Sequence, residues 1–267
     1  MSKQRKPSSQ RNVSSVQDHN RSKTPRVSVI IPVYNEVRTL AGVIRQAYRV
    51  HRHTEVIVVA NGTTDGSKEA AARLGARVIT FNHPLGHDVG RSIGAMEAKG
   101  DIILFLDGDF IIPVREFIPL VKAVEKGVDV ALNSYNGITS VSNVHRVVLA
   151  KHALNAILSR MDLNGASMTT IPHAISRKAL DIIGAENLAV PPLAQAIAAQ
   201  RGLLIKATRL IQVGLRNRSR VRRREKGLDP VGDLIIGDHL EAIHWLTDFS
   251  GVRGNLPDLL RIREMMR

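Results

Sequence analysis

The apolar run Ile102–Leu106 stops abruptly at Asp107-Gly108-Asp109, and this junction constrains the fold more than any other stretch of the chain. A run that is apolar at every position suits a strand buried on both faces of a parallel sheet. Ligands of open α/β sheets bind beyond the carboxyl ends of the strands, so Asp107 and Asp109 are expected at the mouth of a crevice. Gly108 lets the backbone turn sharply between them and lets a bulky ligand approach. Two hard oxygen donors at this spacing suit Mg²⁺ or Mn²⁺ shared with a diphosphate. The plain alternative is a strand followed by an acidic turn, and the segments upstream bear on the choice.

Those segments alternate between buried-strand and helix patterns. Arg26–Pro32 reads as a first strand with Val33–Glu36 as its loop, and a helix follows from about Thr39 to His51. Glu55–Ala60 is the second strand, Asn61–Gly66 its turn, and a short Ala-rich helix leads to a third strand at Arg77–Phe81. A turn at Gly86–Gly90 then opens a helix that ends near Gly100. Strand and helix in strict alternation demand parallel strands joined by crossover helices, which makes the first half a Rossmann-like nucleotide-binding half.

Four motifs recur here in order: Val29-Ile-Ile-Pro-Val-Tyr-Asn-Glu36, Val58-Val-Ala-Asn-Gly-Thr-Thr-Asp-Gly66, the Gly86…Gly90-Arg91…Gly94 segment, and Ile103-Leu-Phe-Leu-Asp-Gly-Asp109. Together they resemble the family 2 glycosyltransferases of GT-A fold over roughly residues 27–110. The resemblance implies an α/β GT-A domain: a Rossmann-like half with a mostly parallel sheet, an acceptor-side half and C-terminal helices. It further implies that Pro32, Tyr34 and Glu36 line a nucleoside pocket, that Asn61 and Asp65 surround base and ribose, and that Arg91 lies near the diphosphate. Asp107, Gly108 and Asp109 would form the metal-binding turn. Asp65 also stands where it would cap the helix beginning at Gly66, and Glu36 would serve equally as a solvated loop acid. Asn61 stands where many relatives carry Asp.

The second half continues with a helix from Val114 to Lys126, a strand at Val128–Asn133 and a long amphipathic helix at Asn143–Met161. The hydroxyl-rich stretch Asn164–Arg177 sits where GT-A relatives bind the transferred sugar and the acceptor, which makes Ser167, Thr169 and His173 acceptor-side candidates. For His173 a packed loop histidine is the alternative. Inverting relatives carry a Glu-Asp pair whose Asp deprotonates the acceptor. Here those positions fall near Val190 and Pro191, neither of which takes a proton. Glu186 is the substitute base, unless the enzyme is retaining, as the related glucosyl-3-phosphoglycerate synthases are, or binds a donor without transferring its sugar. The stretch Ile211–Arg220 resembles the basic loop those synthases place over the diphosphate, with Arg216, Arg218 and Arg220 as donor contacts. Arg218 stands where such loops often carry a metal-binding His, leaving His239 as the replacement ligand. Six arginines between Arg216 and Arg224 repel one another unless an anion joins them. Two closing helices are expected, at Asp238–Phe249 and Pro257–Met266.

Bulk properties bound the function. A chain of 267 residues with 43% hydrophobic content fills one α/β domain, read as a basic disordered tail (1–26) and a single domain (27–267) whose parts are about 27–110, 111–214 and 215–267. The absence of cysteine excludes disulfides and a thiol nucleophile. No apolar run approaches the roughly 18 residues of a membrane span, so a cytoplasmic protein is expected, with peripheral attachment to a membrane as an extension. A net charge of +14 calls for an anionic partner: a nucleotide-sugar donor, a phosphorylated or hydroxyl-bearing acceptor, or an anionic membrane surface. With 3% aromatic residues for base stacking, nucleic acid is disfavoured. The expected activity is metal-dependent transfer of a sugar from a nucleotide sugar. The rivals are a catalytically silent sugar-nucleotide binder and, more weakly, a basic protein binding nucleic acid or a membrane surface.

Overall fold

The structure, a computed structural model, describes residues 12–14, 25–214 and 229–266. In chain order its strands and α-helices are β1 (Asn12–Ser14), β2 (Val27–Val33), α1 (Val37–Ala47), β3 (Thr54–Asn61), α2 (Ser67–Arg73), β4 (Arg77–Phe81), α3 (Val89–Glu97) and β5 (Ile102–Phe105). There follow α4 (Val114–Glu125), β6 (Val130–Asn133), α5 (Arg146–Ile157), β7 (His173–Ser176), α6 (Arg177–Ile183), α7 (Pro191–Gln200), β8 (Ile205–Arg209) and α8 (Pro230–Ser250). One sheet carries the strands in the order β1-β4-β3-β2-β5-β7-β6-β8.

The first half is the expected parallel unit. β2 pairs with β3 on one side and β5 on the other, and β4 extends the sheet beyond β3. Val27, Val29, Ile30 and Ile31 of β2 are wholly buried, because helices cover both faces of a central parallel strand. One core layer lies under α1, α2 and α4, the other under α3, α6 and α7. Helix α3 approaches the sheet through a glycine. A Cβ on Gly94 would stand 2.3 Å from Ile30 Cγ2, a clash that only a glycine avoids without repacking.

Beyond β5 the direction changes. β7 runs antiparallel to β5 with His173 opposite Phe105, and β6 runs antiparallel to β7 and parallel to β8. A third apolar cluster joins α5, α7 and α8 behind this half. Asn12–Ser14, within the stretch read as a basic tail, lies along the outer edge of β4, where unpaired strand groups accept a further strand.

The C-terminus differs from expectation in two ways. The helix expected from Asp238 begins eight residues earlier, at Pro230, where Asp229 caps it by accepting from the Gly232 N–H at 3.0 Å. The helix expected at 257–266 is absent; only a 3₁₀ turn at Arg263–Met266 forms. The apolar spacing of Leu259, Leu260 and Ile262 looked helical. However, Leu259 and Leu260 take left-handed backbone angles (φ +49° and +63°), and the Asp258 carboxylate draws in Arg253, Arg261 and Arg263.

Candidate active site

The crevice is built where β2, β3 and β5 end. After β2 the chain turns through Asn35 (φ +57°), whose N–H donates to Thr63 Oγ1 at 2.7 Å and whose Oδ1 accepts from the Thr64 N–H at 2.8 Å. Asp65 completes the stitching. Its Oδ2 accepts from the Val37 N–H and its Oδ1 from the Ser67 N–H, both at 3.0 Å, so one carboxylate caps the first residues of α1 and α2 together. Burial works to raise the Asp65 pKa, but the hydrogen bonds from the Ser67 hydroxyl and the Val37 and Ser67 amides outweigh it and hold the group below the usual carboxylate value. The helix-capping alternative is what this geometry displays. Asn61 has a comparable internal role: its Oδ1 accepts from the Leu85 N–H at 2.6 Å and its Nδ2 donates to the Gly86 carbonyl at 3.1 Å, tying the loop before α3 to the end of β3.

Gly108 brings the acids together. Its carbonyl accepts from Thr39 Oγ1 at 2.6 Å, and a Cβ added to it would approach Val33 Cγ2 at 3.2 Å and Glu36 Cγ at 3.4 Å. The Asp107–Asp109 turn is thereby pressed against the β2–α1 loop. The consequence appears at Glu36, whose pKa is pushed up to about 7 by burial first and then by the fields of Asp109, Asp65 and Asp107. So dense a set of carboxylates favours a cation or a proton among them. Among the described residues no group of three or more His, Asp or Glu side chains is arranged to hold a metal ion. Asp107 and Asp109 offer hard oxygen donors of the kind that Mg²⁺ or Mn²⁺ takes.

Arg91 is the cation built in beside these acids. Nearly buried on α3, it donates to Asp107 Oδ1 at 3.5 Å and forms an ion pair with Asp88 at 2.9 Å that lacks hydrogen-bond alignment. Asp88, at φ +62° before α3 and itself buried, was not singled out from sequence, although it lies inside the Gly86–Gly90 segment. Across from it on α8 stands Asp238, which sequence reasoning also passed over. Burial, Asp88 and Glu241 raise its carboxyl to about 6. Pro32 lies under Gly90, where a Cβ would come within 3.0 Å of it, and Tyr34 is exposed at the rim.

The acceptor-side candidates are placed differently. His173 is buried on β7, its ring 4.8 Å from that of Phe105, and its Nδ1–H donates to the Thr170 carbonyl at 3.3 Å. Burial, then the field of Arg91, lowers its pKa to about 3, so the ring is neutral. Ser167 and Thr169 are buried and bond to each other at 3.0 Å. Their loop is held from within: the Met168 N–H donates to Gln195 Oε1 at 2.8 Å, Gln195 Nε2 to Asn155 Oδ1 at 2.6 Å, and Lys151 to Thr170 Oγ1 at 2.7 Å.

Five further candidates lie apart from the acids or outside the described residues. Glu186 is exposed on a 3₁₀ turn packed over α3, and among the described residues no hydrogen bond or ion pair joins it to the acidic cluster. Val190 and the buried Pro191 open α7, as the proline pair implied. His239 is buried on α8 with its Nδ1–H donated to the Ile235 carbonyl at 2.6 Å, and is not gathered with Asp107 and Asp109. Arg216, Arg218 and Arg220 lie outside the described residues.

This architecture is that of a GT-A domain. A crystal structure of the Mycobacterium tuberculosis glucosyl-3-phosphoglycerate synthase in complex with UDP superposes with a TM-score of 0.57 at 19% identity, covering 92% of this chain and 88% of that one. The same enzyme with Mn²⁺, UDP and phosphoglyceric acid gives 0.56 at 19% identity, covering 92% and 87%. The profile of glycosyl transferase family 2 matches residues 28–181, more than half of the sequence, and the chain belongs to that family. Similar curated proteins include an undecaprenyl-phosphate 4-deoxy-4-formamido-L-arabinose transferase of Edwardsiella ictaluri, 34% identical over 114 residues (39% of this chain, 35% of that protein). The glycosyltransferase AglE of Haloferax volcanii is 38% identical over 97 residues, 33% of this chain and 32% of AglE. The alignments thus span about a third of the length of these relatives.

Proposed function

We propose that the chain is a glycosyltransferase that takes a sugar from a nucleotide sugar and passes it to a phosphate-bearing acceptor, with Asp107 and Asp109 holding a divalent ion, Mg²⁺ or Mn²⁺, against the donor diphosphate. The observation that carries this reading is the gathering of Glu36, Asp65, Asp107 and Asp109 at one crevice, where burial first and then the three neighbouring carboxylates push Glu36 up to about 7. When bound, the ion would supply positive charge to the departing diphosphate. Arg91 is placed to hold Asp107 in position and to add its own charge beside the same oxygens. The relatives bound to UDP and Mn²⁺ and the family membership support the donor and metal assignments.

The phosphate-bearing acceptor is supported by the residues found where inverting relatives carry their base. Val190 and Pro191 supply no carboxylate, and Glu186 is not joined to the acids. A hydroxyl acceptor needs a base for its proton, which here would have to be the leaving diphosphate of a retaining reaction; a phosphate monoester, with a second pKa of about 6, arrives largely ionised and needs none. Its oxygen attacks the anomeric carbon while the bond from that carbon to the diphosphate breaks, and the nucleoside diphosphate leaves with the electron pair. The curated relatives named as undecaprenyl-phosphate transferases fit the same chemistry. The reaction would take place on the cytoplasmic side of a membrane. A donor-binding protein without turnover is the second reading, favoured by the same Val190-Pro191.

The test is nucleoside diphosphate release from a panel of nucleotide sugars with Mg²⁺ or Mn²⁺, offered a polyprenyl phosphate or the matching polyprenol. Metal-dependent release with the phosphate alone, lost in Asp109→Ala, is the expected result. Equal release with the alcohol would refute the acceptor class. Saturable donor binding with neither acceptor turned over would establish the silent binder.

A further inference from the structure

We propose that the segment following α8, residues 251–265, is a docking surface for an anionic lipid bilayer. Its apolar side chains are turned out of the fold: Val252 is 89% exposed, Leu259 84%, Leu260 97%, Ile262 69% and Met265 79%. Single apolar residues need no explanation on a protein surface, but five this exposed between Val252 and Met265 do.

The segment is also braced in this form. Asp258 accepts ion pairs from Arg253 at 3.4 Å, from Arg263 at 2.8 Å and from Arg261, while Arg253 Nε donates to the Leu256 carbonyl at 3.1 Å. One carboxylate thus gathers three guanidinium groups, and with Glu264 also counted the segment keeps a formal surplus of one positive charge. Leu259 and Leu260 both lie in the left-handed region, which a side chain bearing a Cβ adopts at a cost. Their near-complete exposure means that packing within the described residues does not offset that cost. An apolar tip held out by arginines is matched by a partner that offers hydrocarbon beneath a layer of negative charge, which is the interface of an anionic bilayer. A second protein copy would instead meet a core with few charged residues, and here Arg253, Arg261 and Arg263 flank the leucines. No helix among the described residues is long and apolar enough to cross a membrane, so the contact would be peripheral. This surface would hold the protein at lipid whatever its acceptor, and its test reads binding instead of turnover.

The full chain is mixed with vesicles of phosphatidylcholine, with or without phosphatidylglycerol, and bound protein is separated by flotation. The basic residues outside this segment will add charge-driven binding, so the comparison is with Leu259→Asp/Leu260→Asp, which leaves every arginine in place. Wild type should float with the anionic vesicles and keep part of its binding at roughly 0.5 M salt, where charges are screened within about 5 Å. The double variant should bind at least about tenfold more weakly. Because the chain has no cysteine, Leu260→Cys carries a polarity-sensitive fluorophore at a single position and serves if the double variant fails to fold. Its emission should shift to the blue on anionic vesicles. Flotation of the double variant equal to wild type, or a label that does not respond to vesicles, would overturn the proposal. So would a blue shift without vesicles that grows with protein concentration, which would make the patch a contact between copies.

Discussion

The two halves of the molecule use polar residues in opposite ways. At the ends of β2, β3 and β5 the motif residues divide: Asn35, Asn61 and Asp65 spend their hydrogen bonds on tying loops together, while Glu36, Asp107 and Asp109 are thereby brought into one another's fields. In the second half Ser167, Thr169, Thr170, Asn155 and Gln195 are all buried and bond to their own loop and its neighbours. The first site is charged and asks for a counter-ion; the second is neutral and already satisfied. Such a difference implies that substitutions in the first half should change ligand binding more than stability, and those in the second half the reverse.

The largest effect should come from Asp109. Replacing it by Ala removes one of two carboxylates proposed to share the metal with the donor, and donor turnover should fall by at least about a hundredfold. The melting temperature should stay the same or rise, since one of the crowded charges is gone. A large loss of stability would show that Asp109 is structural and would erase the contrast between the halves.

Next in size is Gln195→Ala. Gln195 joins the Met168 N–H to Asn155 in the interior, and its loss strands both partners. Urea unfolding should show a loss of about 3 kcal/mol, with saturable donor binding retained. Donor affinity falling in step with stability would couple the halves more tightly than their hydrogen bonds suggest.

These two predictions also show why one half was easier to read in the sequence. Strands β2 to β5 are legible because burial on both faces writes an apolar residue at every position, and the ligand-facing loops come straight after the runs. The loop at 164–172 is rich in hydroxyls, which suggests a surface for sugar. Its burial depends on Gln195 and Asn155, whose contribution has no local signature. His173 is a strand residue paired with Phe105, a fact that belongs to the sheet's change of direction after β5. Asp88 and Asp238, about 150 residues apart, become one electrostatic site only through the packing of α8. The end of the chain misled for a local reason: apolar spacing suited a helix, but Asp258 organised the arginines around a turn.

The buried histidines sharpen the contrast through pH. Burial first, with the field of Lys151 adding and the Ile235 hydrogen bond opposing, lowers His239 to about 4, and His173 lies lower at about 3. An unfolded chain takes up these protons near the ordinary histidine value of 6.5 while the folded chain does not. Stability should therefore fall as pH drops through that value towards 4. From about pH 7 to about pH 5 each histidine would contribute a loss of up to roughly 2 kcal/mol. His239→Leu, which gives up only a bond to a carbonyl of its own helix, should remove about half of the decline. An unchanged acid limb in that variant would show that His239 is charged in the folded protein.

Asp238 should give the smallest effect, with the opposite sign. Its folded pKa of about 6 lies above the ordinary 3.8, so the folded chain holds this proton more tightly than the unfolded chain does. The group favours folding at low pH, and that advantage is lost as pH rises through about 6; at neutral pH the carboxylate opposes folding. Asp238→Asn removes the charge facing Asp88 and Glu241 and should stabilise the protein at about pH 7, by roughly 1 kcal/mol once the half-exposure of the site is allowed for. The gain should shrink between about pH 6 and pH 4, where the wild-type carboxyl is itself protonated. Denaturation curves at three pH values decide the matter. A loss of stability at neutral pH would mean that the Asp238 carboxylate is stabilised by a positive partner, and would place Asp88 and Asp238 with the charged, ligand-facing half.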